Sequence, residues 1–371
     1  MTTRSVPPAV LRAPWLGGAV LVLTLVIATP SPAGAAAPSA WTEVHDPHAG
    51  TLTSVSPLAE DDVWAAGYYY DQPQGRYRPL VEHWDGTRFS ATVAPTASRG
   101  YNAFNGVAAV ADDDVWAVGY QTPVYYTYVH APLIEHFDGR AWRVVPSPYR
   151  SEGDLNAVVA IAADDVWAVG TRTINPYGSL LLHFDGTAWS IQADGHATDN
   201  TFIQAVAANG SSDVWVAGST PQGTDTIAFA EHWNGASWTD HPAYPDAGDG
   251  AFNAIALDPA AGVLQAVGWQ TPGLGAYQMA QRYQDGAWTD EPPPEMPANN
   301  NLYGVVSVGS RTWAVGYGSK SGPAPAVERW NGSAWRAEQL PVSGIATVYA
   351  IAAVGRTLWA VGDNAILRRS L

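Results

Sequence analysis

Four histidines recur at matched points along this sequence: His83, His136, His183 and His232. Four imidazoles converging on one point would suit zinc or copper. These lie one sequence repeat apart, so a repeating fold spreads them over different units. Arg282, Arg329 and Arg368 continue the series, and Glu82, Glu135, Glu231 and Glu328 precede the same column. Both columns read as repeated structural positions on a strand, with no metal expected there.

Other acids and bases are scattered. Asp71, Glu152, Asp154, Asp199, Asp225, Asp246, Glu291 and Asp363, with His130, His196 and His241, could serve acid–base catalysis. That chemistry needs two such groups facing one pocket, and spacing alone does not decide which converge. Asp61-Asp62, Asp112-Asp113-Asp114 and Asp164-Asp165 suit turns, because an Asp carboxylate accepts from nearby backbone amides. Asp246-Ala247-Gly248-Asp249-Gly250 is a loose calcium candidate beside that turn reading. Neither a metalloprotease H-E-x-x-H helix nor a nucleophile elbow G-x-S-x-G occurs. The absence of cysteine excludes thiol catalysis and thiolate metal sites. No cofactor is expected.

The elements that position these residues repeat. The phrase Asp114-Val115-Trp116-Ala117-Val118-Gly119 has relatives ending at Gly67, Gly170, Gly218, Gly268, Gly316 and Gly362, spaced 46 to 52 residues apart. Seven copies at this period predict a β-propeller with one four-stranded blade per repeat. The fifth copy, Leu264 to Gly268, has lost its Trp; the sixth and seventh keep Trp313 and Trp359 but lack the leading Asp. In the third repeat the strands read as Asn156–Ile161, Val166–Gly170, Leu180–Phe184 and a fourth from Trp189. Asp85-Gly86, Asp138-Gly139, Asp185-Gly186, Asn234-Gly235, Asp285-Gly286 and Asn331-Gly332 predict tight turns between third and fourth strands. The repeated Trp residues read as core.

The last repeat stops after a third strand, Ala365–Arg369, whereas Ser39–Val44 reads as a fourth strand with no blade of its own. Pairing of 40–45 with 364–369 would complete one blade and remove the open edge of the ring. Such closure would replace the disulfides that a secreted chain often uses.

Trp116-Ala117-Val118-Gly119, followed by Phe137-Asp138-Gly139 and Trp142, resembles the kelch repeat of galactose-oxidase-type propellers. The resemblance covers all seven repeats and departs in one respect: kelch repeats carry a Gly-Gly doublet, and here one Gly stands alone. Asp185-Gly186-Thr187-Ala188-Trp189 is also similar to the Asp-box turn of sialidase-like propellers. These resemblances imply an all-β seven-bladed propeller and no particular reaction. The copper-radical site of galactose oxidase uses a cysteine–tyrosine crosslink, which this chain has no residue to form.

Composition narrows compartment and partners. Arg4 and Arg12 precede an apolar run, Leu16–Ala28, and the small residues Ala33 to Ala37. This is the pattern of a signal peptide over 1–35 followed by a secreted propeller over 36–371, with no membrane span after cleavage. A net charge of −16 excludes a general nucleic-acid binder, since phosphate affinity needs clustered Lys and Arg.

Within each blade, the second-to-third and fourth-to-first connections are the long ones and emerge on one face. Function on a propeller is expected there. Two clusters stand out. The first is an aromatic rim over blades one and two: Tyr69, Tyr70, Tyr77, Arg78, Tyr101, Tyr125, Tyr126, Tyr128 and His130, with Tyr149 and Tyr177 nearby. Tyr offers a broad apolar face and a hydroxyl at low entropic cost, which suits sugars or peptide segments. The second is a ring at the start of the innermost strands: Thr53, Asn105, Asn156, Gln204, Asn253, Tyr303 and Tyr349. The expected function is recognition of an extracellular glycan or protein ligand. The alternative is a carbohydrate-active hydrolase or lyase using the acids and histidines of that face.

Overall fold

Alternating apolar and polar residues in short runs, broken by Gly and Asp, build strands and no helices among the described residues. A computed structural model describes residues 40–44, 48–123, 129–174, 177–193, 200–243, 249–258, 260–271, 275–291, 300–318, 324–341 and 345–371. Seven four-stranded antiparallel sheets lie within the unit Ser39–Leu371. Blade one comprises Thr51–Ala59, Asp62–Asp71, Arg76–Trp84 and Phe89–Thr92, from the axis outward. The innermost strands of the later blades are Asn102–Ala111, Gly153–Ala162, Phe202–Gly210, Gly250–Asp258, Asn301–Val308 and Val348–Val354. Each innermost strand touches those of the blades before and after it, and blade seven touches blade one, so the ring closes.

Closure uses the strand that the two chain ends had implied. Thr42–Val44 pairs antiparallel with Ala365–Ser370, with Thr42 opposite Arg368, Glu43 opposite Leu367 and Val44 opposite Ile366. Trp41, almost wholly buried, donates its indole N–H to Glu338 Oε2 of blade six at 2.8 Å. Arg369 bonds the same carboxylate.

Tryptophans lock neighbouring blades. Trp64, Trp116 and Trp167 of the second strands meet Trp142, Trp189 and Trp238 of the next blades' fourth strands, edge to face, at 6.0, 5.3 and 5.8 Å. Trp359 meets Phe89 at 5.7 Å across the blade seven–blade one seam. Such edge-to-face pairs add to the burial that already holds large aromatics in place.

The glycine of the repeat phrase has a steric cause. A Cβ on Gly67, Gly119, Gly170, Gly218, Gly268, Gly316 or Gly362 would sit 1.8 to 2.1 Å from a carbonyl oxygen of the innermost strand or, for Gly362, of Thr347 just before it. Opposite each glycine that strand carries a β-bulge: the register jumps from Leu52 to Ser54, from Phe104 to Gly106, from Leu155 to Ala157, and so on through Val348 to Ala350. The skipped residues are Thr53, Asn105, Asn156, Gln204, Asn253, Tyr303 and Tyr349. A bulge re-aims the side chain of its extra residue, and here it aims all seven toward one axis.

The Asp-Gly and Asn-Gly pairs form the tight turns expected, with each glycine at positive φ, and most of these turns are four residues long. In blade one, Asp85–Arg88 forms a four-residue connection in which Asp85 Oδ1 accepts from Thr87 N, Thr87 Oγ1 and Arg88 N at 2.9, 2.6 and 2.9 Å. Asp185 repeats the arrangement, and hydrogen bonds, first from the Thr187 hydroxyl, hold its carboxyl down to about 2. Only Asp285-Gly286, with φ of 54° and 85°, turns in two residues with both in the left-handed region. The extra residues elsewhere require a capping carboxylate or amide, which explains the Asp or Asn better than a left-handed φ does.

Candidate ligand-binding face

The seven bulged residues line one central cavity of about 250 Å³. Their polar ends are partly committed. Thr53 Oγ1 donates to Phe104 O at 2.9 Å, Asn105 Nδ2 to Leu155 O at 2.8 Å, Asn156 Nδ2 to Ile203 O at 2.7 Å and Asn253 Nδ2 to Leu302 O at 2.8 Å. Each bond reaches the next blade, so the ring is a circumferential stitch as well as a cavity lining. Tyr303 and Tyr349 lie 5.5 Å apart on one side. Burial pushes the Tyr303 phenol up to about 12 and raises Tyr349 as well, so both stay neutral donors.

The aromatic rim divides in two. On the extended hairpin of blade one, Tyr70 faces Tyr77, and Tyr69 faces Arg78, across the ladder. Neighbours along a strand point to opposite sides. Tyr68, Tyr70 and Tyr101 therefore gather around Tyr77, with centroids 5.1, 5.4 and 5.6 Å from it. Tyr69 and Arg78 take the other side; Arg78 reaches Asp71 at 3.6 Å and bonds Gln74. Tyr70 is 46% exposed and Tyr77 39%, so this shelf meets solvent. Tyr125, Tyr126 and Tyr128 lie outside the described residues.

One acid–base pair forms across blades two and three. His130 Nδ1 and Asp154 Oδ1 are 2.7 Å apart, and the imidazole stacks on Tyr120 at 4.1 Å and 9°. Burial, followed by nearby tyrosines and Asp154, pushes the Tyr120 phenol up to about 12. The pair is an imidazole oriented by a carboxylate, a geometry able to position or move a proton.

The structure places the other described candidates apart from this pair, and several of them are engaged elsewhere. Asp363 Oδ1 accepts from Thr51 Oγ1 at 3.0 Å. Glu291 is buried between Gln265 at 2.9 Å and Arg282 at 3.3 Å. His241 packs on Trp215 and bonds the Tyr283 hydroxyl at 3.0 Å, and burial lowers its pKa. Asp249 accepts from Thr226 N at 2.7 Å. Asp225 sits on the exposed start of a strand, and the Glu152 carbonyl takes the Thr173 N–H. His196, Asp199 and Asp246 lie outside the described residues.

The histidine column has a partner that the sequence reading did not assign. His83, His136, His183 and His232 place Nε2 at 2.8, 2.7, 2.9 and 2.9 Å from Asp62, Asp114, Asp165 and Asp213. Each ring lies 4.1 to 4.4 Å from the Trp two residues after that Asp. The signal was present: the repeats lacking the leading Asp are the ones that carry Arg in place of His.

Fold and site define a seven-bladed β-propeller with a stitched central cavity and an aromatic shelf on one face. No family model matches the sequence, and no curated protein sequence matches it. Solved propellers share the fold at low identity. YCF48 bound to D1 peptide aligns over 90% of this chain and 96% of that one, with 13% identity and a TM-score of 0.60. The GH74 xyloglucanase from Xanthomonas campestris aligns over 90% of this chain at 14% identity and TM-score 0.61, the aligned part spanning 54% of the enzyme. A streptogramin B lyase aligns over 89% and 97% at 14% identity and TM-score 0.59.

Proposed function

We propose that this propeller is a secreted recognition module that holds a glycan or protein ligand on the Tyr70–Tyr77–Tyr101 shelf beside the channel mouth. The single observation that carries this reading is the shelf itself: Tyr70 and Tyr101 packed on Tyr77, with Tyr70 and Tyr77 exposed, on a hairpin end and a linker anchored to the ring. Braced aromatics bind with little ordering cost. Fold neighbours of both ligand classes, one titled as bound to peptide and one a xyloglucanase, are compatible with either ligand. The signal-like segment 1–35 supports export, and a cysteine-free exported chain fits closure by strand pairing in place of disulfides. The kelch-type reading of the repeat belongs to the same proposal. A glycan array and a peptide array on the purified protein test it, with Tyr70→Ala and Tyr77→Ala as controls. Ligand capture that both variants leave unchanged would remove the shelf from the site. Amino-terminal sequencing of protein from culture medium tests the export step.

A second reading rests on His130–Asp154. If the face is catalytic, His130 is the proton-transfer group and Asp154 orients it. His130→Asn would then abolish turnover of a captured ligand while leaving its binding intact.

A further inference from the structure

The hairpin tip of blade one and the linker into blade two enclose a second pocket, of about 250 Å³, beside the shelf. It is lined by Gln74, Arg76, Arg99, Tyr101 and Thr122 with the glycines between them, and no carboxylate is among its lining residues. Arg76 and Arg99 make no ion pair with any described residue. In a chain of net charge −16, two cations sharing one wall without a counter-ion are unusual, because each would ordinarily find an acid nearby.

The linker carrying Arg99 is held in shape from below. Asn102 is wholly buried; its Nδ2 donates to Ser98 O at 3.2 Å and Gly100 O at 3.0 Å, and its Oδ1 accepts from Ser98 N at 3.1 Å. Tyr101 N donates to Thr122 Oγ1 at 2.9 Å, and Ser98 Oγ to Thr122 O at 2.7 Å. A Cβ on Gly100 would stand 2.0 Å from Thr122 O. The linker therefore presents Arg99 at a fixed place instead of trailing it in solvent.

We propose that this pocket receives an acidic sugar residue, a hexuronate within a glycan chain, whose carboxylate pairs with Arg76 and Arg99 while the chain continues over the tyrosine shelf. Arginine suits this task because its planar fork bonds a carboxylate at two points. The cavity is larger than an Asp or Glu side chain needs. Its Gln74 amide and the Tyr101 ring offer partners for sugar hydroxyls and for the apolar face of a pyranose. These features favour a glycan over an acidic peptide.

The inference rests on the shelf reading and is tested apart from it. Calorimetry on the full protein uses tetramers of galacturonate, mannuronate and hyaluronan, a neutral galactose tetramer, a sulfated galactan tetramer and poly-glutamate. At least one uronate should bind more tightly than the neutral and sulfated sugars, with affinity falling as salt rises. Arg76→Gln and Arg99→Gln should each weaken it tenfold or more, and Arg→Lys should restore part of the loss. Melting temperatures of the variants should match the parent, because neither arginine is buried. Uronate binding that both Gln variants leave unchanged would overturn the pocket, as would tighter binding of the sulfated tetramer or of poly-glutamate. If only the neutral sugar binds, and only the tyrosine variants weaken it, the shelf stands and this inference falls. If uronate binding depends on the arginines and not on Tyr70 or Tyr77, the arginine pocket stands, and the shelf falls together with the path of the glycan over it. Binding of no uronate overturns this inference and leaves the shelf to the peptide array.

Discussion

Blades one to four and blades five to seven fill the site beside the second-strand Trp with different chemistry, and in blade five Gln265 stands in that Trp's place. In the first group, the second-strand Trp is covered by a histidine that a carboxylate two residues before the Trp holds in place. In the second group, Val263, Arg311 and Thr357 occupy the carboxylate's position, and an arginine replaces the histidine. Arg282 and Arg329 reach acids at or just after the outer strands, Glu291 at 3.3 Å and Glu338 at 3.4 Å, and Arg368 lies over Trp359 at 5.2 Å. The lesson is that neither member of the Asp–His pair is useful alone. A buried-edge histidine without its acceptor leaves a polar atom unmatched, which costs about 1–3 kcal/mol. An arginine has the length to find its partner farther out.

Blade seven stands apart from both groups because it is assembled from both ends of the chain. Deleting residues 40–44 should produce the largest loss, because it exposes the Ala365–Ser370 edge and removes buried Trp41. A loss of about 3–5 kcal/mol is expected from the tryptophan alone, read as a drop in melting temperature and in denaturant midpoint. An unchanged midpoint would mean that closure does not depend on that strand.

A smaller effect than that of the closing strand should come from the coupling in blade two. Asp114→Ala and His136→Ala should each cost about 1–3 kcal/mol. The double variant should cost less than their sum by about 0.5–3 kcal/mol. Converting the site to the blade-five pattern, with Asp114→Val and His136→Arg, sharpens the test. It should recover part of the loss only if an acid lies within the arginine's reach. Strict additivity in urea denaturation would dissolve the contrast between the two groups.

The buried acids in front of the column contrast in charge. Glu135 has no exposed surface, and desolvation pushes its carboxyl up to about 8 from 4.5. Gln281 holds the matching position in blade five and bonds Asp290 at 2.6 Å. Because the folded state keeps the Glu135 proton that the unfolded chain releases near 4.5, stability is highest below that pH. It falls as pH rises, and the loss is complete above about 8. A penalty of about 3–5 kcal/mol is expected at alkaline pH. Glu135→Gln should flatten this slope, with a higher melting temperature than the parent at pH 9 and a similar one near pH 5. Parallel pH profiles for parent and variant would show that Glu135 ionises freely.

The smallest effect should come from the shelf. Tyr70→Ala, at an exposed hairpin tip, should shift stability by no more than about 0.5 kcal/mol. A larger loss would make Tyr70 a brace for the hairpin and not a ligand contact.

Period and chain-end composition were enough to count the blades and to pair Thr42-Glu43-Val44 with the last strand. Strand patterning is a local property repeated seven times, so each copy corroborates the others. The seven ring positions were legible for the same reason: repeat-equivalent residues on innermost strands must meet at the axis. The bulge that aims them was written in the repeat glycine, whose meaning appears only when the opposing carbonyl is seen. The joined loss of Asp and gain of Arg in the later repeats was equally visible in the sequence, but its cause is a contact across two strands. The division of the rim, the meeting of His130 with Asp154 and the shared pocket of Arg76 and Arg99 belong to the tertiary structure alone. Those residues stand at blade ends and in connections, where no period constrains them. Whether two of them meet depends on how far each hairpin extends and on the angle between adjacent blades.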